Sequence, residues 1–138
     1  MFWKRLDEDE AIRIIRRGID KGINYVDTAW GYHGGKSETT VGKALLNGYR
    51  EKVHLVTKLP IWKVKGPEDF DKYLGKQLDR LQTDHLDIYL FHALNKDRFE
   101  NKVKEFNLIE KMEKAKEEGL INHIGFSFHD NFKVFREI

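Results

Sequence analysis

The stretch Asn24-Tyr25-Val26-Asp27-Thr28-Ala29-Trp30-Gly31-Tyr32 begins as a short apolar strand and breaks off into a polar turn. It places Asp27 and Tyr32, five positions apart, at the end of that strand. Three later strand-like runs also end on polar side chains, namely Lys58, His92 and Ser127. From Asp27 to Ser127, these strand-end residues follow one another at intervals of roughly 30–35 residues, about the length of one strand–helix unit. Because parallel strands all finish on one side, we expect these side chains to share one rim, and we place the chemistry there.

The rest of the chain alternates helical patterns with strand patterns. The predicted strands cover residues 23–28, 52–58, 86–91 and 121–128. The predicted helices begin at Asp7, Ser37, Pro67, Asn107 and Asn131. Residues 94–104 are mostly polar and predict an irregular segment. Strict alternation of this kind indicates a parallel α/β sheet with right-handed crossovers.

Polar residues at successive strand ends are typical of a (β/α)8 TIM-type barrel. A doubly wound sheet is the rival fold, but no Gly-rich phosphate turn follows a strand, since neither Gly34-Gly35 nor Gly125 forms one. No Pro-rich or Gly/Ser-rich linker divides the chain, so residues 1–138 predict a single domain. About four strands of eight are present, which predicts an incomplete barrel.

Composition excludes several classes of protein. Hydrophobic residues make up 40% and charged residues 35% of the 138 positions, which favours a folded globular chain over a disordered one. No apolar run approaches the ~20 residues of a membrane span, and residues 1–7 lack the apolar core of a secretory signal. Mixed charges with a net value of +2 do not indicate nucleic-acid binding. There is no Cys, which favours a cytoplasmic location, and the six His are too scattered to predict a metal site.

Several short motifs resemble the aldo-keto reductases, and they occur in that family's order. They lie at residues 22–29, 31–32, 37–38, 41–45, 57–58, 87–92 and 124–127. The resemblance implies a barrel that reduces an aldehyde or ketone with NADPH or NADH. It implies the catalytic residues Asp27, Tyr32, Lys58 and His92, and a contact of Ser127 with the nicotinamide carboxamide, to which His129 would add. Family members usually have Asn after that serine, where this chain has Phe128.

The chemistry of these side chains can also be argued directly. Hydride arriving at a carbonyl carbon makes an alkoxide, which needs a proton, and Tyr32 is the donor that we expect. A Lys58 ammonium beside the phenol would favour loss of that proton, and Asp27 would keep the ammonium charged and in place. His92 would donate a hydrogen bond to the substrate oxygen and orient it.

The resemblance also implies a partial chain, starting at the first barrel helix and ending after the fifth strand. Four strands cannot close a barrel, so both sheet edges and the inward face would be uncovered. We therefore expect the chain to pair with a second copy, to retain a fragment carrying the missing half, or to be only marginally stable in solution. The alternative function is a catalytically inactive half-barrel that self-associates. A regulatory subunit on the same barrel has no positive support in the sequence. Trp30 and Trp62 either wall a substrate pocket or pack internally.

Overall fold

The protein is described by a computed structural model over residues 7–138; residues 1–6, which contributed to the expectation of no secretory signal, lie outside the described residues. A single four-stranded sheet has the order β1-β2-β3-β4, and every neighbouring pair is parallel. The strands are β1 (Tyr25–Asp27), β2 (His54–Leu59), β3 (Leu86–Leu94) and β4 (Ile121–Phe128). This topology confirms the predicted parallel α/β sheet of an incomplete barrel.

Helices precede, separate and follow the strands, as predicted. They are α1 (Glu8–Asp20), α2 (Ser37–Ala44), α3 (Glu68–Leu81), α4 (Lys96–Arg98), α5 (Leu108–Glu117) and α6 (Phe132–Glu137). Short 3-10 turns lie at Tyr32–Gly35, Arg50–Lys52 and Ile61–Lys63. None of the helices in the described part of the chain has the length and apolar character needed to cross a membrane.

The two ends of helix α1 are fixed by local hydrogen bonds, and its carboxyl end determines where β1 begins. The carboxylate of Asp7 accepts a hydrogen bond from Glu10 N at 2.7 Å and caps α1, as predicted. At the other end Gly22 adopts φ 110°, and Ile23 N donates to Gly18 O at 3.0 Å. Ile23 thus closes the helix, and β1 begins at Tyr25, two residues later than the pattern predicts.

The prediction of an irregular segment at residues 94–104 is wrong. Leu94 is the last residue of β3, and α4 continues into a single π-helical stretch, Phe99–Lys104. Asn95 starts this helix, because its side-chain oxygen accepts from Arg98 N at 2.8 Å. Phe99 and Val103 are buried and lie four residues apart, a helical spacing that the surrounding charges conceal.

The sheet has one covered face and one open face. Leu55, Tyr89 and Phe70 belong to the core between the sheet and the helices, and the Phe70 and Tyr89 rings meet edge to face. On the other face the register aligns Asp27 with Val56, and Lys58 with Leu90. Tyr25 of this face is 50% exposed. The open face therefore carries the polar strand ends, whereas the core lies on the opposite face.

Helices α2 and α3 approach one another closely behind the sheet. A Cβ placed on Gly42 would lie 2.5 Å from Arg80 O and 2.8 Å from Leu81 Cα. Only glycine permits this separation. The contact brings Glu38 of α2 and Gln77 of α3 together beneath the end of β2, where both are fully buried.

Candidate active site

Lys58 lies at the centre of the polar groups that the strand ends bring together. It is 5% exposed, and its ammonium donates to Asp27 Oδ2 at 2.9 Å, Thr28 O at 3.0 Å and Tyr32 OH at 3.2 Å. An ammonium has three protons and no acceptor, so these contacts satisfy it completely. We call Asp27, Lys58 and Tyr32 the ammonium cluster.

Register and turn geometry explain why these three residues meet. Asp27 pairs with Val56, and Lys58 follows Val56 on the same face of the sheet. The chain then leaves β1, and Tyr32 N donates to Ala29 O at 3.3 Å as the 3-10 turn begins. This turn carries the phenol back over the strand end.

The charges in the cluster are arranged for an ion pair at the edge of solvent. The side chain of Lys58 is 6% exposed, whereas that of Asp27 is 40% exposed. A buried ammonium without a partner would be strongly destabilising, and the Asp27 carboxylate together with the Thr28 carbonyl prevents that. The ammonium also lies 4.6 Å from the centre of the Tyr32 ring. Lys58 and Tyr32 are therefore held together by two kinds of contact.

His92, near the end of β3, joins the cluster from the neighbouring strand. Its ring centre lies 5.8 Å from that of Tyr32 and 5.0 Å from that of Trp62. Burial and the positive charge of Lys58 lower the pKa of His92 from 6.5 to about 4, although Asp27 opposes the shift. The imidazole is neutral at neutral pH, and its Nδ1 is buried with no hydrogen-bond partner within residues 7–138.

A bulge beside His92 fixes the position of Ser127. The β3–β4 register shifts between Phe91 and Leu94, and Ala93 adopts a left-handed φ of 56°. Ala93 N donates to Ser127 Oγ at 2.7 Å. Because the serine oxygen accepts this bond, its own proton remains available for another acceptor. Ser127 therefore lies at the same strand ends as the ammonium cluster.

His129 also lies near this end of the sheet. Its backbone N donates to Leu94 O at 2.8 Å, and its side chain is exposed. Among the causes that lower the pKa of His92, His129 comes last, after burial, Lys58 and Arg98. The structure thus places Asp27, Lys58, Tyr32 and His92 close together, and it places Ser127 and His129 at the end of β4 beside the end of β3.

The two tryptophans have different surroundings. Trp62 is 41% exposed and lies against His92, as a wall of a pocket would. Trp30 instead packs edge to face on Tyr73 at 4.9 Å, with the Arg80 guanidinium 3.6 Å from its ring centre. Of the two interpretations, internal packing holds for Trp30.

Sequence reasoning missed two groups at this site. The Thr28 carbonyl that binds Lys58 is a backbone atom, and no side-chain pattern reports it. Gln77 donates to Lys58 O at 2.7 Å from the apolar stripe of α3. A polar residue between the buried Leu74 and Leu81 is a signal that could have revealed it.

Comparisons with known proteins show which proteins this chain resembles. The family model described as "Aldo/keto reductase family" matches residues 1–138. Methylglyoxal reductase YeaE of Escherichia coli is 38% identical over 116 residues, which are 84% of this chain and 38% of that protein. A crystal structure of an aldo-keto reductase from Klebsiella pneumoniae in complex with NADPH superposes with a TM-score of 0.79 at 32% identity, covering 94% of this chain and 42% of that one.

A second solved structure, the holo form of aldo-keto reductase AKR11C1 from Bacillus halodurans, gives a TM-score of 0.78 at 33% identity. It matches over 95% of this chain and 45% of its own. The chain thus spans about two fifths of the length of the proteins it matches. The NADPH in the Klebsiella protein supports the expectation of a nicotinamide cofactor in this group of proteins. With a family match along its full length, the chain belongs to the aldo/keto reductase family.

Proposed function

We propose that this chain is the catalytic half of an NAD(P)H-dependent reductase that converts an aldehyde or ketone to an alcohol. The observation that carries the proposal is the ammonium cluster, in which Lys58 Nζ lies 2.9 Å from Asp27 and 3.2 Å from the Tyr32 hydroxyl. His92 adds a neutral imidazole beside the phenol. These groups supply a proton donor, a cation that stabilises its conjugate base, and a hydrogen-bond donor.

Each residue then has a role in forming the alcohol. A nicotinamide cofactor held at this site would supply the hydride for the carbonyl carbon. Tyr32 transfers its hydroxyl proton to the carbonyl oxygen, and the Lys58 ammonium stabilises the phenolate left behind. Asp27 pairs with the Lys58 ammonium and orients it. A neutral His92 orients the carbonyl oxygen through an N–H group. Solvent returns the proton to Tyr32 and completes the cycle.

The described residues fit the carboxamide end of a nicotinamide. Ser127 Oγ accepts a bond from Ala93 N and keeps its proton for an amide oxygen. His129 is exposed close by and adds a second polar group. Phe128 stands between them, and its side chain offers no hydrogen bond. We assign the carboxamide to Ser127 and His129 on this basis.

A second candidate is an inactive half-barrel that associates with another copy or with a segment carrying the missing half. Strands β1 and β4 form the two edges of the sheet, and unpaired edges favour association. Tyr25 on the open face is 50% exposed, and Phe132 and Phe135 near the β4 edge are 73% and 48% exposed. We place either form in the cytoplasm, because the sequence has no Cys. Nucleic acid is not proposed as a partner.

Titration with NADPH separates the two candidates. For the reductase we expect saturable quenching of tryptophan fluorescence, and NADPH oxidation that depends on added carbonyl compound. Methylglyoxal is a suitable first substrate, because a relative is named for its reduction. No binding at millimolar NADPH would support the inactive half-barrel. Size-exclusion chromatography with light scattering on the same sample reports association, and a cooperatively folding monomer would count against it.

A further inference from the structure

The first turn of α2 is bonded to the ends of both β1 and β2. Ser37 Oγ lies 2.7 Å from Thr28 Oγ1, and Thr57 Oγ1 donates to Glu38 Oε2 at 2.7 Å. All four residues are buried. Each threonine is adjacent in the chain to a member of the ammonium cluster. Two consecutive residues of one helix therefore fix two strand ends that are far apart in the sequence.

Gln77 completes the backbone of β2 where β1 turns away. Thr28 N donates to Val56 O at 2.9 Å, just past the end of β1. Two residues further along, Lys58 O receives its bond from Gln77 Nε2 at 2.7 Å. The same nitrogen lies 3.0 Å from Glu38 Oε2. The Gln77 side chain of α3 thus supplies the hydrogen-bond donor that β1, having turned away, does not give to the Lys58 carbonyl.

Tyr89 fixes the orientation of the Gln77 amide. The Tyr89 hydroxyl donates to Gln77 Oε1 at 2.5 Å, and Tyr89 is fully buried. In the reversed orientation the amide oxygen would face both Lys58 O and the Glu38 carboxylate, and acceptors would oppose acceptors. The network therefore has one arrangement that satisfies all its members.

Arg80 extends the same network to the loop that carries Tyr32. Its Nη1 lies 3.3 Å from Glu38 Oε1, and its guanidinium stacks 3.6 Å from the ring centre of Trp30. Trp30 precedes Tyr32 by two residues. Burial raises the pKa of Glu38, while its hydrogen bonds to Thr57 and Gln77 and the charge of Arg80 oppose that rise.

We propose that Glu38 and Gln77 are positioning residues that set the separation between Lys58 and Tyr32 from behind the sheet. Neither residue touches the reacting groups. Glu38 is bonded to the end of β2 through Thr57 and Gln77. Through Arg80 it is linked to the loop that carries Tyr32. An effect of these two residues on the reaction rate rests on the reductase function proposed above. Their effect on the position of Lys58 does not rest on it.

The test combines spectroscopy with kinetics on the 138-residue chain. Spectra selective for lysine ammonium groups, assigned with Lys58→Arg, follow Lys58 directly. In Glu38→Gln, the new amide places a donor against Arg80 or against the Thr57 and Gln77 donors. We expect a displaced Lys58 signal and ammonium hydrogen exchange faster by about tenfold. In an active enzyme, kcat falls about tenfold with the carbonyl KM changed less than about twofold.

Two variants serve as references for Glu38→Gln. Met112→Ala removes a fully buried side chain in α5 and reports what a general loss of stability does. Tyr89→Phe removes only the hydroxyl that orients Gln77, and it provides the test of the proposal if Glu38→Gln does not fold. We expect Tyr89→Phe to displace the Lys58 signal in the same direction and Met112→Ala to leave it in place. An unmoved signal in Tyr89→Phe, or in a folded Glu38→Gln, overturns the proposal. A displaced signal in a chain without turnover rejects the reductase function and retains the positioning role.

Discussion

The Tyr32 hydroxyl accepts a hydrogen bond from the Lys58 ammonium across 3.2 Å. An ammonium only donates, so the phenol oxygen is the acceptor in this contact, and its own proton is not used there. Tyr32 is 38% exposed, which leaves that proton accessible to a substrate oxygen. In the proposed reaction the hydroxyl would give this proton to the substrate oxygen, and the neighbouring ammonium would stabilise the charge that remains.

Replacing Tyr32 by Phe removes the proposed proton donor and keeps the ring. We expect kcat for carbonyl reduction to fall by about 100-fold or more, because a positioned acid contributes on that order. Thermal unfolding should change little, since the ring contact with Lys58 remains. Tyr25→Phe is the matched control, because Tyr25 is an exposed tyrosine on β1 outside the ammonium cluster. Full turnover by Tyr32→Phe would reject the assigned donor.

His92 should make the stability of the fold depend on pH. Its pKa is about 4 in the folded chain, against an ordinary value of 6.5. The unfolded chain therefore binds more protons between these values, so the free energy of unfolding falls as the pH drops from about 6.5 to about 4. After allowance for solvent screening, we expect a loss of about 1–2 kcal/mol. Urea titrations at several pH values measure it, and His92→Gln should flatten this part of the profile.

Asp87 is predicted to stabilise the sheet at the opposite end from the site. Its Oδ2 accepts from Leu55 N at 2.7 Å and lies 2.9 Å from Arg50 Nη1. Burial alone raises the pKa of Asp87, but the bond from Leu55 and the charge of Arg50 outweigh it and leave the pKa lowered. We expect Asp87→Asn to reduce the free energy of unfolding at pH 7 by about 1–3 kcal/mol.

The sign of the pH effect tests this assignment. A lowered carboxyl pKa contributes stability above the ordinary value of 3.8 and loses it as the pH falls through the folded value. The difference between wild type and Asp87→Asn should therefore shrink below that pH. A difference that stays constant into strong acid would show that charge is not the cause.

Two glycines give opposite predictions for the same substitution. Gly42→Ala would place its Cβ against the backbone of Arg80, and we expect a loss of about 1–3 kcal/mol from overpacking. Gly75 of α3 is exposed, and a Cβ added there would meet no atom within 4 Å. Gly75→Ala should stabilise the chain by up to about 1 kcal/mol, through helix propensity. Denaturant unfolding of both variants compares them, and equal effects would contradict the close packing of α2 on α3.

The main features of the fold could be predicted because each strand end carries its own local signal. Asp27, Lys58 and His92 follow apolar runs at regular intervals, and parallel pairing then brings them together without further information. The helical segment after β3 was hidden, since its buried residues Phe99 and Val103 are separated by charged ones.

The supporting network was harder to predict, because it depends on pairings across the fold. Gln77 and Lys58 are 19 residues apart in the chain, and only the packing of α3 behind β2 joins them. The bond from Ala93 N to Ser127 Oγ likewise depends on a bulge, and no residue type in β3 predicts that bulge. Side-chain pattern predicts which face a residue occupies, and it does not predict its hydrogen-bond partner.

The ion pair of Arg50 and Asp87 lies at the amino-terminal side of the sheet, away from Lys58, Tyr32 and His92. Protein engineering for thermal resistance could therefore target the amino-terminal side of the sheet and leave the residues of the candidate site unchanged.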